Sequence, residues 1–312
     1  MGGITNTFIP AKGYMVSYSF EENPTFLFEG ELGVQNISFS LMRYAHPDDQ
    51  YVGFNLMGNP YPSAIDWTAE AGWSGREHLE GDEYLEGYNM WIWNPEVENY
   101  GVYNTKLDPE SIPEGWELND VSNVIPAMQA FWVRATEDGH GEGLQMDSRV
   151  RLHNNEQVWR NRKGSLSKPS LHLSLALDGT AMRDDALIQF GHVSDRGGAE
   201  KMFSMNPQAP GLYTVKHDQN FTISFLTNTD DHRLVPLAFN AGRNDAYTLS
   251  IKGVNSFFDE IWLIDLLTGK ETRLWEDHSY EFTAKASDSP DRFVLRFGPA
   301  DENDITDVND AG

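Results

Sequence analysis

The stretch YVGFNLMGNPYPSAIDW, residues 51–67, constrains the fold more than any other part of the chain. Apolar residues surround Asn55, which predicts a half-buried strand. A Gly-Asn pair ending at Asn59 then stops the strand, because Gly tolerates positive φ and a residue before proline is pushed toward extended geometry. Pro60 and Pro62 have no amide proton, so neither fits inside a central strand. The chain is therefore expected to turn a rigid corner here.

Two large aromatic residues, Tyr61 and Trp67, belong to this corner. They could plug a core or line a binding loop. The core interpretation is favoured, because large aromatic side chains are mostly buried. Ser63 is predicted to cap a short helical turn over residues 64–67.

The sequence GFNLMGNPYPSAIDW resembles the GWNLxGNPYPSxIDW signature of large secreted or surface proteins of Bacteroidetes, with Phe54 where Trp is usual. Those proteins usually end in a type IX secretion sorting domain. The resemblance implies a secreted or cell-surface location, and it implies contact with the sorting machinery through a domain that this sequence lacks. It implies no catalytic residues. The resemblance to these proteins extends to further segments, namely residues 8–16, 124–133, 150–154, 212–214, 235–237 and 265–269.

The composition restricts the partners. The chain of 312 residues has 48 acidic and 23 basic residues and a net charge of −25, which argues against nucleic acid and anionic membranes. The absence of cysteine rules out disulfides, thiolate metal sites and a Cys nucleophile. No apolar run reaches about 18 residues, so no membrane insertion is expected. The N-terminus lacks the features of a signal peptide, and the chain is interpreted as a segment of a longer protein.

The spacing of strand patterns predicts an all-β protein made of two antiparallel β-sandwich units of jelly-roll or Ig-like type. An aromatic-rich domain with long loops is assigned to residues 1–160, and a second β-sandwich to 169–298. A basic, apolar-poor linker separates them at 161–168, and an acidic flexible tail follows at 299–312. One short helix is predicted within 198–206.

No motif commits the chain to a reaction. There is no G-x-S-x-G elbow, and no pair of His residues has metalloprotease spacing. Pairs of carboxylates cannot be singled out among so many acids. The chain is therefore predicted not to be an enzyme, and a hydrolase fragment ranks third among the functional hypotheses.

Glycan binding is the second hypothesis. Trp73, Tyr84 and Trp116 lie in polar loops near acidic residues, and flat aromatic rings of this kind stack on sugars. The alternative is that these rings pin their loops to the core, which is the more common role of such residues.

The sequence suggests one cofactor, a calcium ion, for which Asp230 and Asp231 form the second candidate site. Asp178, Asp184 and Asp185 surround a Gly-containing turn, and calcium prefers oxygen ligands on turns. The alternative is a solvated turn in which Asp accepts backbone amide protons.

The first hypothesis is a non-catalytic structural or adhesive module of a secreted or cell-surface protein, near its C-terminal sorting signal. Its expected partners are an extracellular glycan or a surface protein.

Overall fold

The structure is a computed structural model of the chain, and contacts divide it into two compact units. Unit 1 consists of residues 1–82 and 123–159, and unit 2 consists of residues 83–122 and 160–312. Structural statements below concern the residues that the structure describes, which are 8–16, 29–31, 33, 35–45, 51–80, 87–107, 117–152, 168–254, 260–275 and 278–300.

Unit 1 is built from short antiparallel pairings. One sheet has the order β1-β9-β4, β2 pairs with β8, and β3 pairs with β7. The strands are β1 (Ile37–Ser40), β2 (Phe54–Gly58), β3 (Ile65–Asp66), β4 (Trp73–Ser74), β7 (Val124–Ile125), β8 (Ala130–Arg134) and β9 (Gly143–Met146).

Unit 2 contains a hairpin, β5–β6, and one long sheet with the order β18-β17-β20-β15-β13-β14-β11-β10-β16-β19, in which β12 also pairs with β14. The hairpin strands are β5 (Asn89–Asn94) and β6 (Asn99–Asn104). The sheet strands are β10 (Ser170–Leu177), β11 (Arg183–Gln189), β12 (Gly198–Glu200), β13 (Gly211–Lys216), β14 (Gln219–Phe225), β15 (Leu234–Asn240), β16 (Asp245–Val254), β17 (Ile261–Asp265), β18 (Lys270–Leu274), β19 (Ser279–Ala284) and β20 (Phe293–Phe297).

The predicted all-β class is confirmed. The helical elements whose full bounds are described are short 3-10 turns, at Arg76–His78, Leu118–Asp120 and Ser148–Val150. The strand pairs are antiparallel except for β11 and β14, which run parallel. No helix in this part of the chain is long and apolar enough to span a bilayer.

The core of unit 2 follows from period-2 alternation along β10. Leu171, Leu173, Leu175 and Leu177 all lie fully buried in one apolar cluster, as their spacing predicts. The opposite face of β10 is also buried and carries His172 among other polar side chains. A strand that is covered on both faces must find partners for those polar groups inside the protein.

The division into units differs from the predicted domain of residues 1–160. The β5–β6 hairpin belongs to unit 2 because its side chains bond to that unit's backbone. Asn89 Nδ2 donates to the carbonyl of Gly198 at 2.8 Å, and Asn99 Nδ2 donates to the carbonyl of Pro210 at 2.7 Å. Most of the predicted linker and tail, 161–167 and 301–312, lies outside the described residues.

Two predicted helical segments are wrong. Residues 64–67 do not form a helical turn, because Ile65 and Asp66 pair with Val124–Ile125 as β3. The start of the helix predicted within 198–206 is instead β12, paired with β14. In both places a distant strand provides the backbone partners that a local helix would otherwise supply.

Candidate functional site

Asn59 holds the corner that follows β2. Its Nδ2 donates to the carbonyls of Ser63 at 2.9 Å, Ile125 at 3.2 Å and Pro126 at 2.9 Å. Its Oδ1 accepts the backbone N–H of Tyr61 at 2.9 Å. The side chain is only 6% exposed, so these contacts satisfy backbone groups that water cannot easily reach. One carboxamide therefore joins the corner to the segment between β7 and β8.

The two aromatic residues of the corner are core residues, as predicted. Tyr61 and Trp67 are at most 1% exposed. The Tyr61 hydroxyl lies 3.1 Å from the carbonyl of Gln35 and 3.2 Å from that of Met146. The Trp67 ring packs edge-on against Phe131 at 5.9 Å. Because both rings are buried, neither presents an open face to a ligand.

Trp73, the first predicted glycan-stacking residue, is half-buried on β4. Its ring packs edge-on against Trp67 with centroids 5.0 Å apart, and its Nε1 donates to the carbonyl of Asp66 at 2.8 Å. The guanidinium of Arg76 lies 5.9 Å from the ring centroid. These contacts give Trp73 a role in holding its loop.

The other two residues of that set, Tyr84 and Trp116, lie outside the described residues. The structure therefore brings Trp73 together with core aromatics, and glycan binding by the three residues stays a prediction.

The three predicted calcium ligands lie in different surroundings. Asp178 is exposed at a turn and accepts a hydrogen bond from Thr248 Oγ1 at 2.8 Å. Asp184 and Asp185 lie on β11 and are buried. Among the described residues, no group of three or more His, Asp or Glu side chains is arranged to hold a metal ion. The calcium site stays a prediction. The structure shows protein partners for both buried carboxylates.

Asp184 is fully enclosed. It pairs with the Lys201 ammonium, accepts the backbone N–H of Leu212 at 2.6 Å and accepts Asn119 Nδ2 at 2.9 Å. Burial raises the pKa of Asp184 above its ordinary value, against the opposing effects of Lys201 and the hydrogen bonds. The Asp184 carboxyl therefore takes up a proton at a higher pH than an aspartate side chain in water does.

The neighbouring carboxylate, that of Asp185, has a pKa shifted in the opposite direction. Its Oδ2 accepts the backbone N–H of Asn119 at 2.9 Å and lies 3.6 Å from His172 Nε2. Burial works against ionisation, but interactions with His172, Ser174 and Arg183 outweigh it and lower the pKa of Asp185 to about 2. Two adjacent acids in one strand are therefore pushed in opposite directions by their surroundings.

Asn119 links the two acids. It sits in a 3-10 turn with φ 49° and ψ 39°, a left-handed conformation that Asn tolerates better than most residues. Its Nδ2 donates both to Asp184 and to the carbonyl of Tyr100, each at 2.9 Å. Its Oδ1 is buried without a hydrogen-bond partner among the described residues. We call Asn119, Asp184, Asp185 and Lys201 the buried polar cluster.

The sequence analysis missed Lys201 and Asn119. The available signal was the pair of acids opening the otherwise apolar strand RDDALIQF, because a buried acid requires a partner. Nothing local identifies that partner, since Asn119 and Lys201 lie on separate segments brought together by the fold. The cluster places an amine, a carboxyl and a carboxamide in contact, away from solvent.

Comparison with known protein families gives one family match. Residues 3–297 match the family described as Domain of unknown function (DUF8693). The chain belongs to this family. The matched range covers parts of both units and contains the corner and the buried polar cluster.

The chain is also similar to the minor fimbrium subunit Mfa5 of Porphyromonas gingivalis. The two are 25% identical over 304 residues, which is 92% of this chain and 24% of Mfa5. The chain thus spans about a quarter of the length of that relative. No solved structure matches the chain.

Proposed function

We propose that the chain is a non-catalytic structural or adhesive module of a secreted or cell-surface protein. The observation that carries the proposal is the similarity to a fimbrial subunit along 92% of the chain. Because the aligned part is only 24% of that subunit, the proposal concerns one module of a longer protein. Its partners would be other surface proteins.

The internal contacts of the described residues support this role. The most distinctive polar side chain of the signature, that of Asn59, is used entirely in bonding the protein to itself. Tyr61 and Trp67 likewise fill the core of unit 1. A sequence signature that encodes a mechanical joint fits a module that transmits or withstands load better than one that binds a substrate.

Export is the second part of the proposal. The resemblance to Bacteroidetes surface proteins implies delivery by the type IX secretion route, through a sorting domain of the longer protein. The proposed location is therefore the outside of the cell.

The test uses the full-length parent protein in its own cells, with an epitope inserted at the exposed turn beside Gly269. We expect the epitope to be labelled on intact cells, and we expect deletion of the segment matching residues 3–297 to reduce attachment to other cells or surfaces. Labelling that requires cell lysis would refute the location, and undiminished attachment would refute an adhesive role. Glycan-array binding that is lost in Trp116→Ala, with the melting temperature unchanged, would instead favour the carbohydrate-binding hypothesis.

A further inference from the structure

The side chains of Lys201 and Asp184 are both 0% exposed, and that of Asn119 is buried as completely. Removing an ammonium and a carboxylate from water is costly, and the attraction between them repays it only with excellent geometry and further hydrogen bonds. A buried ion pair is therefore weak support for stability, and the cluster needs another explanation.

The arrangement around Asp184 supplies one. One carboxyl oxygen, Oδ2, contacts the Lys201 amine, while the other, Oδ1, contacts the carboxamide of Asn119. A single carboxyl group thus bridges an amine nucleophile and an amide electrophile. Asp184 thus brings the amine and the carboxamide to one enclosed point, and a reaction between them would be intramolecular once the Lys201 nitrogen reaches Cγ of Asn119.

We propose that Lys201 and Asn119 form an intramolecular isopeptide bond, with Asp184 carrying the proton. The inference is independent of the proposed surface function, because it rests only on the chemistry of the cluster.

The reaction balances within the cluster. Asp184 takes a proton from the Lys201 ammonium and leaves a neutral amine. The amine nitrogen attacks Cγ of Asn119 while the protonated carboxyl stabilises the developing oxyanion. The bond from Cγ to Nδ2 then breaks, and Nδ2 leaves as ammonia after receiving a proton that passes from the attacking nitrogen through Asp184. A C–N bond replaces a C–N bond, and no oxidant or cofactor is required.

The surroundings favour the linked form. Burial already raises the pKa of Asp184, which favours the protonated carboxyl that the reaction needs. Linkage also removes the buried ammonium charge, because the product nitrogen is a neutral amide. The Asn119 Oδ1 atom, which has no partner among the described residues, becomes the oxygen of the new amide.

Asn119 is a better acceptor than Asp184 itself. An ionised carboxylate resists attack by an amine, whereas an amide loses ammonia, which then diffuses away. Asp184 is also fixed by the backbone N–H of Leu212, which suits a positioned proton carrier. The bond would join the 3-10 turn at Leu118–Asp120 to the chain just after β12, and so fasten residues 83–122 to the rest of unit 2.

The test is the mass of the wild-type protein, measured intact under denaturing conditions. We expect a mass lower than the sequence mass by one ammonia, and a digest in which the peptide containing Lys201 is joined to the peptide containing Asn119. Lys201→Arg, Asn119→Ala and Asp184→Asn should each yield only unlinked chain. Lys252→Arg, which alters an exposed lysine of the same unit, should remain linked.

Two results would overturn the proposal. A wild-type protein with its full sequence mass would show that the cluster is only an ion pair. A mass lower by one water, with the link at Asp184, would show that Asn119 is not the acceptor. Because both readings come from denatured wild-type protein, they do not depend on whether any variant folds.

Discussion

Replacing Asn59 by aspartate tests whether one carboxamide holds the corner of unit 1. The change preserves size and Oδ1 but replaces the donor with an acceptor that faces the carbonyls of Ser63, Ile125 and Pro126. The amide has two hydrogens for these three contacts, so two full hydrogen bonds are lost. A buried acceptor left without a donor costs about 1–3 kcal/mol. The expected loss is therefore about 2–6 kcal/mol, a large part of the roughly 5–15 kcal/mol that stabilises a typical domain.

Hydrogen exchange read by mass spectrometry measures this loss locally, in peptides covering residues 51–67 and 124–134. A loss of about 2 kcal/mol corresponds to roughly thirtyfold faster exchange of the backbone amides that exchange only when the unit unfolds. Asn59→Ala should be at least as destabilising, because it also removes the acceptor for the backbone N–H of Tyr61.

The matched control is Asn36→Asp, which makes the same chemical change at an exposed position in unit 1. Substitutions of this kind usually stay within about 0.5 kcal/mol. If Asn59→Asp exchanged as slowly as this control, the corner would not depend on the carboxamide, and the role assigned to Asn59 would be wrong.

Three further changes test unit 2. Arg292→Met should lower the free energy of unfolding measured in urea by about 3–5 kcal/mol. The change leaves buried Asp265 without the guanidinium that donates to its two carboxylate oxygens at 2.8 and 3.0 Å. A loss below about 1 kcal/mol would contradict this. Gly198→Ala should lower the melting temperature of the unit, because φ is 120° and a Cβ would clash with the carbonyl of Ile223; an unchanged melting temperature would show that the strand shifts freely. Burial and nearby lysines lower the pKa of His192 from 6.5 to about 3, so the unfolded chain binds a proton between these values and the folded chain does not. Stability should fall by about 1–2 kcal/mol from pH 7.5 to pH 5, and His192→Gln should flatten that dependence; an equal slope in the variant would assign it to other groups.

The sequence was sufficient to predict the features that depend on local pattern. Alternation along β10 identified the four buried leucines, because side-chain direction in a strand has a period of two. The sequence Leu-Thr-Gly-Lys at 267–270 is typical of a hairpin turn with glycine in the left-handed region, and the φ of Gly269 is 68°. Burial of Tyr61 and Trp67 was also predicted, because large aromatic side chains are mostly buried.

Features that depend on distant partners could not be predicted. Ile65 and Asp66 look like part of a capped turn until β7 supplies their pairing. Asp184 was placed beside a turn from its sequence neighbours, and the fold puts it on β11 with Lys201 as a partner. In each case the deciding interaction joins segments whose proximity no local pattern encodes. The same limit explains why the amide of Asn119 was missed.

The contacts of the buried asparagines show how a cysteine-free chain ties distant segments together. Asn59, Asn89, Asn99 and Asn119 each donate a side-chain amide to a backbone carbonyl far from it in sequence. One such bond adds only about 1 kcal/mol, but losing it leaves a buried carbonyl unsatisfied at a cost of about 1–3 kcal/mol. These asparagine hydrogen bonds therefore add little stability to the native fold, and they act mainly by raising the free energy of packings in which the carbonyls stay unsatisfied. For a module proposed to serve outside the cell, this yields a defined arrangement of β-layers without disulfides, and a covalent link at Asn119 would make one of these joints permanent.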